Sequence, residues 1–137
     1  MDRKKLLIRT TSLAFFIFFV NFIAMKFHWY YSMWWFDMPM HFVGGFWAGL
    51  LVACIYPPED VSFKSVFKFA LLVLAIGIAW EIFEIFIYDY FKIQPFNTLD
   101  TISDILFDIS GGLLSIIYIS KRIMLSLGGA VQNINNA

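Results

Sequence analysis

Among the acids and histidines within or beside the longest apolar runs of this chain, six acidic residues and one histidine recur at regular helical spacing. Asp37 and His41 are four positions apart, Glu81 and Glu84 are three apart, and Asp100, Asp104 and Asp108 step by four twice. Side chains three or four positions apart share one face of a helix. If each segment is helical, three faces can converge on one interior site, as helix bundles do when they build metal and cofactor centres. Carboxylates with one imidazole suit hard or borderline divalent cations such as Mg²⁺, Mn²⁺, Ca²⁺, Zn²⁺ or Fe²⁺. In that reading His41, Glu81, Asp104 and Asp108 are the metal ligands, and Glu84 or Asp37 serves as a base or supports a ligand. No serine or cysteine nucleophile motif accompanies them, so a metal-activated water is the nucleophile such a centre would use. Plainer readings exist for some members. Asp37 and Asp100 each suit a helix start, where the dipole favours a carboxylate. His41 alone would read as a hydrogen-bonded interior histidine; Asp37 one turn before it strengthens the ligand reading.

The elements that must position these residues follow from composition. The chain has 137 residues, of which 61% are hydrophobic, 20% aromatic and only 15% charged. Soluble domains average roughly 45–50% apolar and about 25% charged residues. A chain of this length makes one domain, and it could not cover so much apolar surface in water, so lipid is the expected solvent. The formal net charge is zero, and no nucleic-acid partner is expected. The single cysteine, Cys54, excludes a disulfide framework or a thiolate metal site within one chain and reads as a small packing residue.

A spanning helix needs roughly 20 mainly apolar residues. Four stretches qualify, at about Leu6–Met25, Met38–Tyr56, Phe67–Tyr90 and Thr101–Ser120. The expected fold is therefore an all-α membrane protein, a compact bundle of four transmembrane helices. Arg3, Lys4 and Lys5 before the first apolar run imitate a secretory signal. No convincing small-x-small cleavage site follows before Lys26, and the run is long, so an uncleaved helix is expected. Asp37 followed by Pro39 suits a helix start, and Pro57 and Pro58 suit the end of the second span. Asn97 or Thr98 can cap the fourth span, and Thr101 with Asp104 resembles a capping box. The residues from 123 to 137 read as a polar tail, frayed or lying on the surface.

Charge sets the expected orientation. With four spans, the N-terminus, the loop between the second and third spans, and the C-terminus share one side. That side carries Arg3, Lys4, Lys5, Arg9, Lys64, Lys68, Lys121 and Arg122; the other carries only Lys26 and Lys92. Positive charge stays in the cytoplasm, so both termini are expected there. The aromatic run from His28 to Phe36 then lies at the outer interface, where Trp and Tyr rings favour the headgroup depth.

The acids fall in the same layer. At a helical rise of 1.5 Å per residue, Glu81 lies about 13 Å below Tyr90, Asp108 about 12 Å below Asp100 and His41 about 6 Å below Asp37. An Asp at the centre of a spanning helix costs about 2.5–3.5 kcal/mol even on the gentler insertion scale. Several neighbouring carboxylates therefore need protons, water or cations beside them. The glycines suggest how the helices approach. Gly45 and Gly49 form a small-x-x-x-small pair on the second span, and Gly111, Gly112 and Ser115 follow Asp108 on the fourth. Such residues let helix backbones come close, and a tight contact between these two spans beneath the acidic layer is expected.

Three motifs in order carry a family resemblance. They are Asp37-Met38-Pro39-Met40-His41-Phe42-Val43-Gly44-Gly45, then Trp80-Glu81-Ile82-Phe83-Glu84, then Asp100 through Asp104 and Asp108 to Gly111-Gly112. They resemble the VanZ-like family, in which one helix begins Asp-x-x-x-His, a later one carries Glu-x-x-Gln or Glu-x-x-Glu, and the last reads Asp-x-x-x-Asp/Asn-x-x-Gly. The chain is also similar to a related group of bacterial inner-membrane proteins of uncharacterised role. It departs from the VanZ-like pattern at Glu84, where Gln is frequent, and at Asp108, where Asn is frequent, which draws it towards that second group. The resemblance implies a bacterial cytoplasmic membrane location and a link to the cell envelope and glycopeptide resistance, without a defined reaction.

Three readings of function stay open at this stage. The first is a divalent-metal site facing the outer leaflet that binds or acts on a phosphate-bearing lipid or cell-envelope precursor; as an enzyme it would be a metal-dependent hydrolase or transferase. The second is a non-enzymatic carrier or binder that uses the carboxyls as a proton or cation relay, which with four helices requires a homo-oligomer. The third is a structural envelope protein whose polar layer fixes helix register. Membrane lipids are expected partners in all three.

Overall fold

A computed structural model describes residues 3–57, 62–91 and 97–135 of the chain, with side chains as far as residue 121. Helix is the regular structure among them: α1 (Arg3–Lys26), α2 (Trp29–Ser32), α3 (Asp37–Ile55), α4 (Phe63–Phe91) and α5 (Thr98–Asn135). Four segments are long and apolar enough to cross a bilayer, Arg3–Lys26, Asp37–Ile55, Phe63–Phe91 and Thr98–Lys121. The all-α fold with four spans is thus the observed one.

The differences lie at the ends. α1 and α4 run past the apolar stretches and take in basic residues at their margins. Long basic side chains allow this, because the aliphatic stem stays in apolar surroundings while the charged head reaches water. Lys68, on the second turn of α4, holds its Nζ 6.0 Å from the centroid of the Tyr56 ring. α5 does not stop near Ser120; its backbone stays helical to Asn135, through most of the stretch read as a polar tail. No proline follows Pro95, so nothing in that stretch breaks the ladder. The expected Asn97 cap is present, whereas the Thr101–Asp104 pair does not stand at the helix start. The Asn97 side-chain oxygen accepts a hydrogen bond from the Leu99 amide at 3.2 Å, and Thr101 lies inside the helix. Pro58 and Lys92 fall outside the described residues.

The aromatic run between α1 and α3 makes one extra helical turn, α2. His28 adopts the left-handed conformation (φ 55°), which reverses the chain after α1. Histidine is among the non-glycine residues that enter this region most readily. Trp29 and Tyr30 then meet Phe36 edge to face, with centroids at 5.4 and 5.1 Å. Tyr31 and Trp34 remain exposed, as side chains at a headgroup interface would be.

α3 is the central helix. Its buried residues are mostly small (Gly45, Ala48, Gly49, Ala53, Cys54), so neighbours approach on several sides. α1 docks through Thr10, whose carbonyl accepts from the Trp47 indole at 3.1 Å and whose hydroxyl lies 3.6 Å from Cys54 Sγ. Arg9 on α1 reaches the Tyr118 hydroxyl of α5. The start of α1 therefore lies at the same end of the bundle as Cys54 and Tyr118. α3 and α5 run parallel, with His41 beside Asp104 and Gly49 beside Gly112 and Ser115; α4 runs against both. At the Cys54 end, Leu6, Leu50, Val52, Phe69, Val73 and Ile119 close an apolar core. Phe15, Phe16, Phe18, Phe19 and Phe22 of α1 face outward. That much exposed apolar surface is stable only in lipid.

Candidate metal centre

The acids and the histidine lie at the opposite end, where α3, α4 and α5 each contribute. α3 supplies Asp37 in its first turn and His41 one turn later. α4 supplies Glu84 and, one turn deeper, Glu81. α5 supplies Asp104 and, one turn deeper, Asp108. The structure brings all six expected site residues together, because the stripes on the three helices face one another at matching depth. The contact between α3 and α5 expected from their small residues is also present. A Cβ added at Gly45 would run into the Asp108 backbone, and one at Gly111 into the Phe42 carbonyl.

His41 is the hub. Its Nε2 lies 3.6 Å from Asp37 Oδ1, 4.0 Å from Glu84 Oε2 and 4.0 Å from Asp104 Oδ2. Its Nδ1 lies 3.8 Å from Glu81 Oε1 and 3.5 Å from Asp108 Oδ2. Five carboxyl groups thus surround one imidazole. Asp100 sits in the first turn of α5 and is not among the five, which favours its plainer reading as a helix-start carboxylate. His41, Glu81, Asp104 and Asp108 are buried, whereas the side chains of Asp37 and Glu84 keep 26% and 22% of their surface exposed. The site is therefore open on the Asp37 side and closed on the other.

These separations exceed those of good hydrogen bonds, which run at about 2.7–3.2 Å. They are close to the spacing of two ligands on one small cation, since bonds of about 2.1 Å at a tetrahedral angle put the donor atoms about 3.4 Å apart. Among the described residues, two groups can hold a metal ion: Asp37, His41 and Asp104, and His41, Glu81 and Asp108. In each, the ligand atoms lie within 4.8 Å of one another. Glu81 Oε1 adds a separate observation. It is the oxygen facing His41 Nδ1, it is buried, and it has no hydrogen-bond partner. A buried carboxylate oxygen without a partner carries its full desolvation cost, at least about 1–3 kcal/mol. Such a group points to a ligand that completes it.

Asp108 is held by glycines on two helices. A Cβ at Gly77 of α4 would stand 2.8 Å from Asp108 Oδ2 and 3.4 Å from its Cβ, and one at Gly44 of α3 would stand 3.9 Å from Oδ1. Beyond it the interior is packed tight. A Cβ at Gly112 would meet Val73 Cγ1 at 2.6 Å, and Ser115 donates to the Gly112 carbonyl at 2.6 Å. The polar layer thus ends at Asp108.

Two residues near the open side were not singled out by the spacing argument. Tyr88 stands one turn further along α4 than Glu84, with its phenol close to the Glu84 carboxyl. Its i, i+4 relation to Glu84 was a legible signal. Tyr30, in α2, donates to Asn21 Oδ1 at 2.8 Å. Burial, followed by the nearby Asp37 and Glu84 carboxylates, pushes the Tyr30 phenol well above its ordinary pKa. No sequence pattern marks it, because Tyr31 stands beside it in the same aromatic run.

Fold and site together define a small helical membrane protein with a buried carboxylate–histidine cluster at one end of its bundle. The chain belongs to the family described as Predicted membrane protein (DUF2238), which it matches over residues 3–124. That match lies with an uncharacterised membrane family and not specifically with the VanZ-like one. No curated protein and no solved structure matches the chain.

Proposed function

We propose that the cluster is a divalent-cation site at the outer face of a bacterial cytoplasmic membrane, and that it binds or acts on a phosphate-bearing lipid or cell-envelope precursor. The observation that carries this reading is the buried Glu81 oxygen without a hydrogen-bond partner, aimed at a histidine with four further carboxyls around it. Uncompensated, so many acids in apolar surroundings would be strongly unfavourable. A divalent cation offsets the charge and supplies the missing contact. His41, Glu81, Asp104 and Asp108 are the donors from which its ligands are drawn, and the more open Asp37 and Glu84 act as base, orient water or hold the ion at the rim. The cation would clamp an anionic head group and activate water against it, which makes the enzymatic form of this reading a metal-dependent hydrolase or transferase.

Sidedness rests on charge: the end bearing Arg3, Lys4, Lys5, Arg9, Lys64, Lys68 and Lys121 is assigned to the cytoplasm. The cluster lies at the other end. The VanZ-like character of the three motifs supports an envelope-facing role. A through-relay for protons or ions is less favoured, because the packing of Gly45, Gly112 and Val73 closes the single chain beyond Asp108.

The test is elemental analysis with Mn²⁺ titration of the purified protein in detergent or nanodiscs. One divalent ion per chain is expected. The Glu81→Ala/Asp104→Ala double variant should elute as the native protein does and retain no ion. Stoichiometric metal in that variant overturns the reading.

A further inference from the structure

We propose that His41 divides the cluster into two alternative seats for one divalent cation, an inner and an outer, and that it ligates the ion through a different nitrogen in each. The inference rests on the cluster being a cation site and goes beyond it by fixing how the ligands partition.

The argument starts from the imidazole. Its two nitrogens point in different directions, and a neutral ring has a single lone pair for a metal, the other nitrogen bearing a hydrogen. The carboxyls sort by nitrogen. Asp37, Glu84 and Asp104 face Nε2; Glu81 and Asp108 face Nδ1. They also sort by depth. On α4 and α5 the Nδ1 members lie one turn deeper than the Nε2 members, about 4.5–6 Å along the axes. On α3, Asp37 is one turn shallower than His41. One ion therefore cannot meet Glu81 and Asp104 through the same nitrogen. The two groups capable of holding a metal share only His41.

The seats differ in character. The outer one is carboxylate-rich, with three acids, two of them partly exposed, and faces the open side. The inner one is buried, and there the unpartnered Glu81 oxygen and the glycine-cradled Asp108 oxygen both face Nδ1. An ion in the inner seat leaves the Nε2 hydrogen directed at the outer carboxylates. An ion in the outer seat leaves the Nδ1 hydrogen directed at Glu81 and Asp108. Exchange between seats moves that hydrogen from one nitrogen to the other, so the ring stays neutral. This gives a capture position reachable from the membrane surface and a sequestered position behind it.

Two double variants each remove, with little change of shape, the two carboxylates that can hold a metal with His41 in one seat: Asp37→Asn/Asp104→Asn for the outer and Glu81→Gln/Asp108→Asn for the inner. Mn²⁺ titration with pulsed EPR reads both stoichiometry and nitrogen ligation. The native protein should take one Mn²⁺ with nitrogen coupling. Each double variant should still take one, with nitrogen coupling and affinity reduced no more than about 100-fold, the range for disturbed metal surroundings. His41→Gln should abolish the nitrogen coupling. Loss of binding in either double variant alone overturns the two-seat arrangement and leaves a single site. Two Mn²⁺ in the native protein overturn alternation. No binding by the native protein overturns the cation reading itself.

Discussion

α3 touches α5 along most of its own length, but the two ends of that contact use different chemistry. At the Cys54 end, Leu50, Val52, Ala53, Val73 and Ile119 pack as any apolar core does. At the Asp37 end the same helices, with α4, face one another through acids and a histidine. The apolar end is stabilised by dispersion and close approach, which small residues make possible in lipid. The polar end has no such source of stability on its own. Its groups repel unless something compensates them, and Glu81 Oε1 shows that the chain does not supply every contact. The apolar half holds the helices in register, and that register brings the acids and the histidine of the polar half together.

The largest expected effect comes from breaking the contact that both halves share. Gly45 lies at their junction, and a side chain there would overlap the Asp108 backbone, which cannot swing aside. Gly45→Leu should destabilise the bundle by more than about 4 kcal/mol, the exceptional range for single substitutions. Size-exclusion profiles and thermal unfolding in detergent check this. A native-like Gly45→Leu protein would mean that the close α3–α5 approach is not what holds the helices.

A smaller effect should separate the halves. Ile119 is only 1% exposed and lies on α5 about 16 Å from Asp108, taking 1.5 Å per residue. Ile119→Ala should cost about 2–5 kcal/mol of stability, as buried Ile-to-Ala changes do. Mn²⁺ affinity of the folded fraction should stay within about twofold of native, since sites this far apart with no shared partners act independently. A matching loss of affinity would show that the two halves are one cooperative unit.

Much of this division is legible in the sequence. The i, i+4 and i, i+3 spacings and the constant helical rise place Asp37, His41, Glu81, Glu84, Asp104 and Asp108 in one layer, and the small residues of the second and fourth spans mark their contact. Which nitrogen of His41 faces which carboxyl was not legible, because it depends on the rotational phase of three helices about their axes. Nor was the role of Gly77. It is an isolated glycine in an apolar run, and its meaning comes from Asp108 on another helix. Nor was the end of α5, because the length that spans a bilayer sets no limit on how far a helix continues beyond it, and the backbone stays helical to Asn135.

Gly77 gives the finest test of the comparison. It lies on α4 between the apolar core and the cluster, and its missing side chain leaves the space that the Asp108 carboxyl occupies. A methyl group there would sit 2.8 Å from Asp108 Oδ2 and 3.4 Å from its Cβ. The carboxylate must then rotate or α4 must shift by a few tenths of an ångström, and either change moves Oδ2 away from His41 Nδ1. Apolar packing should tolerate this, because alanine is favoured over glycine inside a helix by about 1 kcal/mol. Gly77→Ala is therefore expected to unfold at or slightly above the native temperature without added metal, while its Mn²⁺ affinity falls about 10–100-fold, as when a ligand's support is disturbed. Calorimetric titration beside thermal unfolding in chelator reads the two effects separately. Unchanged affinity would show that Asp108 does not contribute to the inner seat. Lost stability with affinity intact would show that Gly77 serves only the approach of α4 to α5.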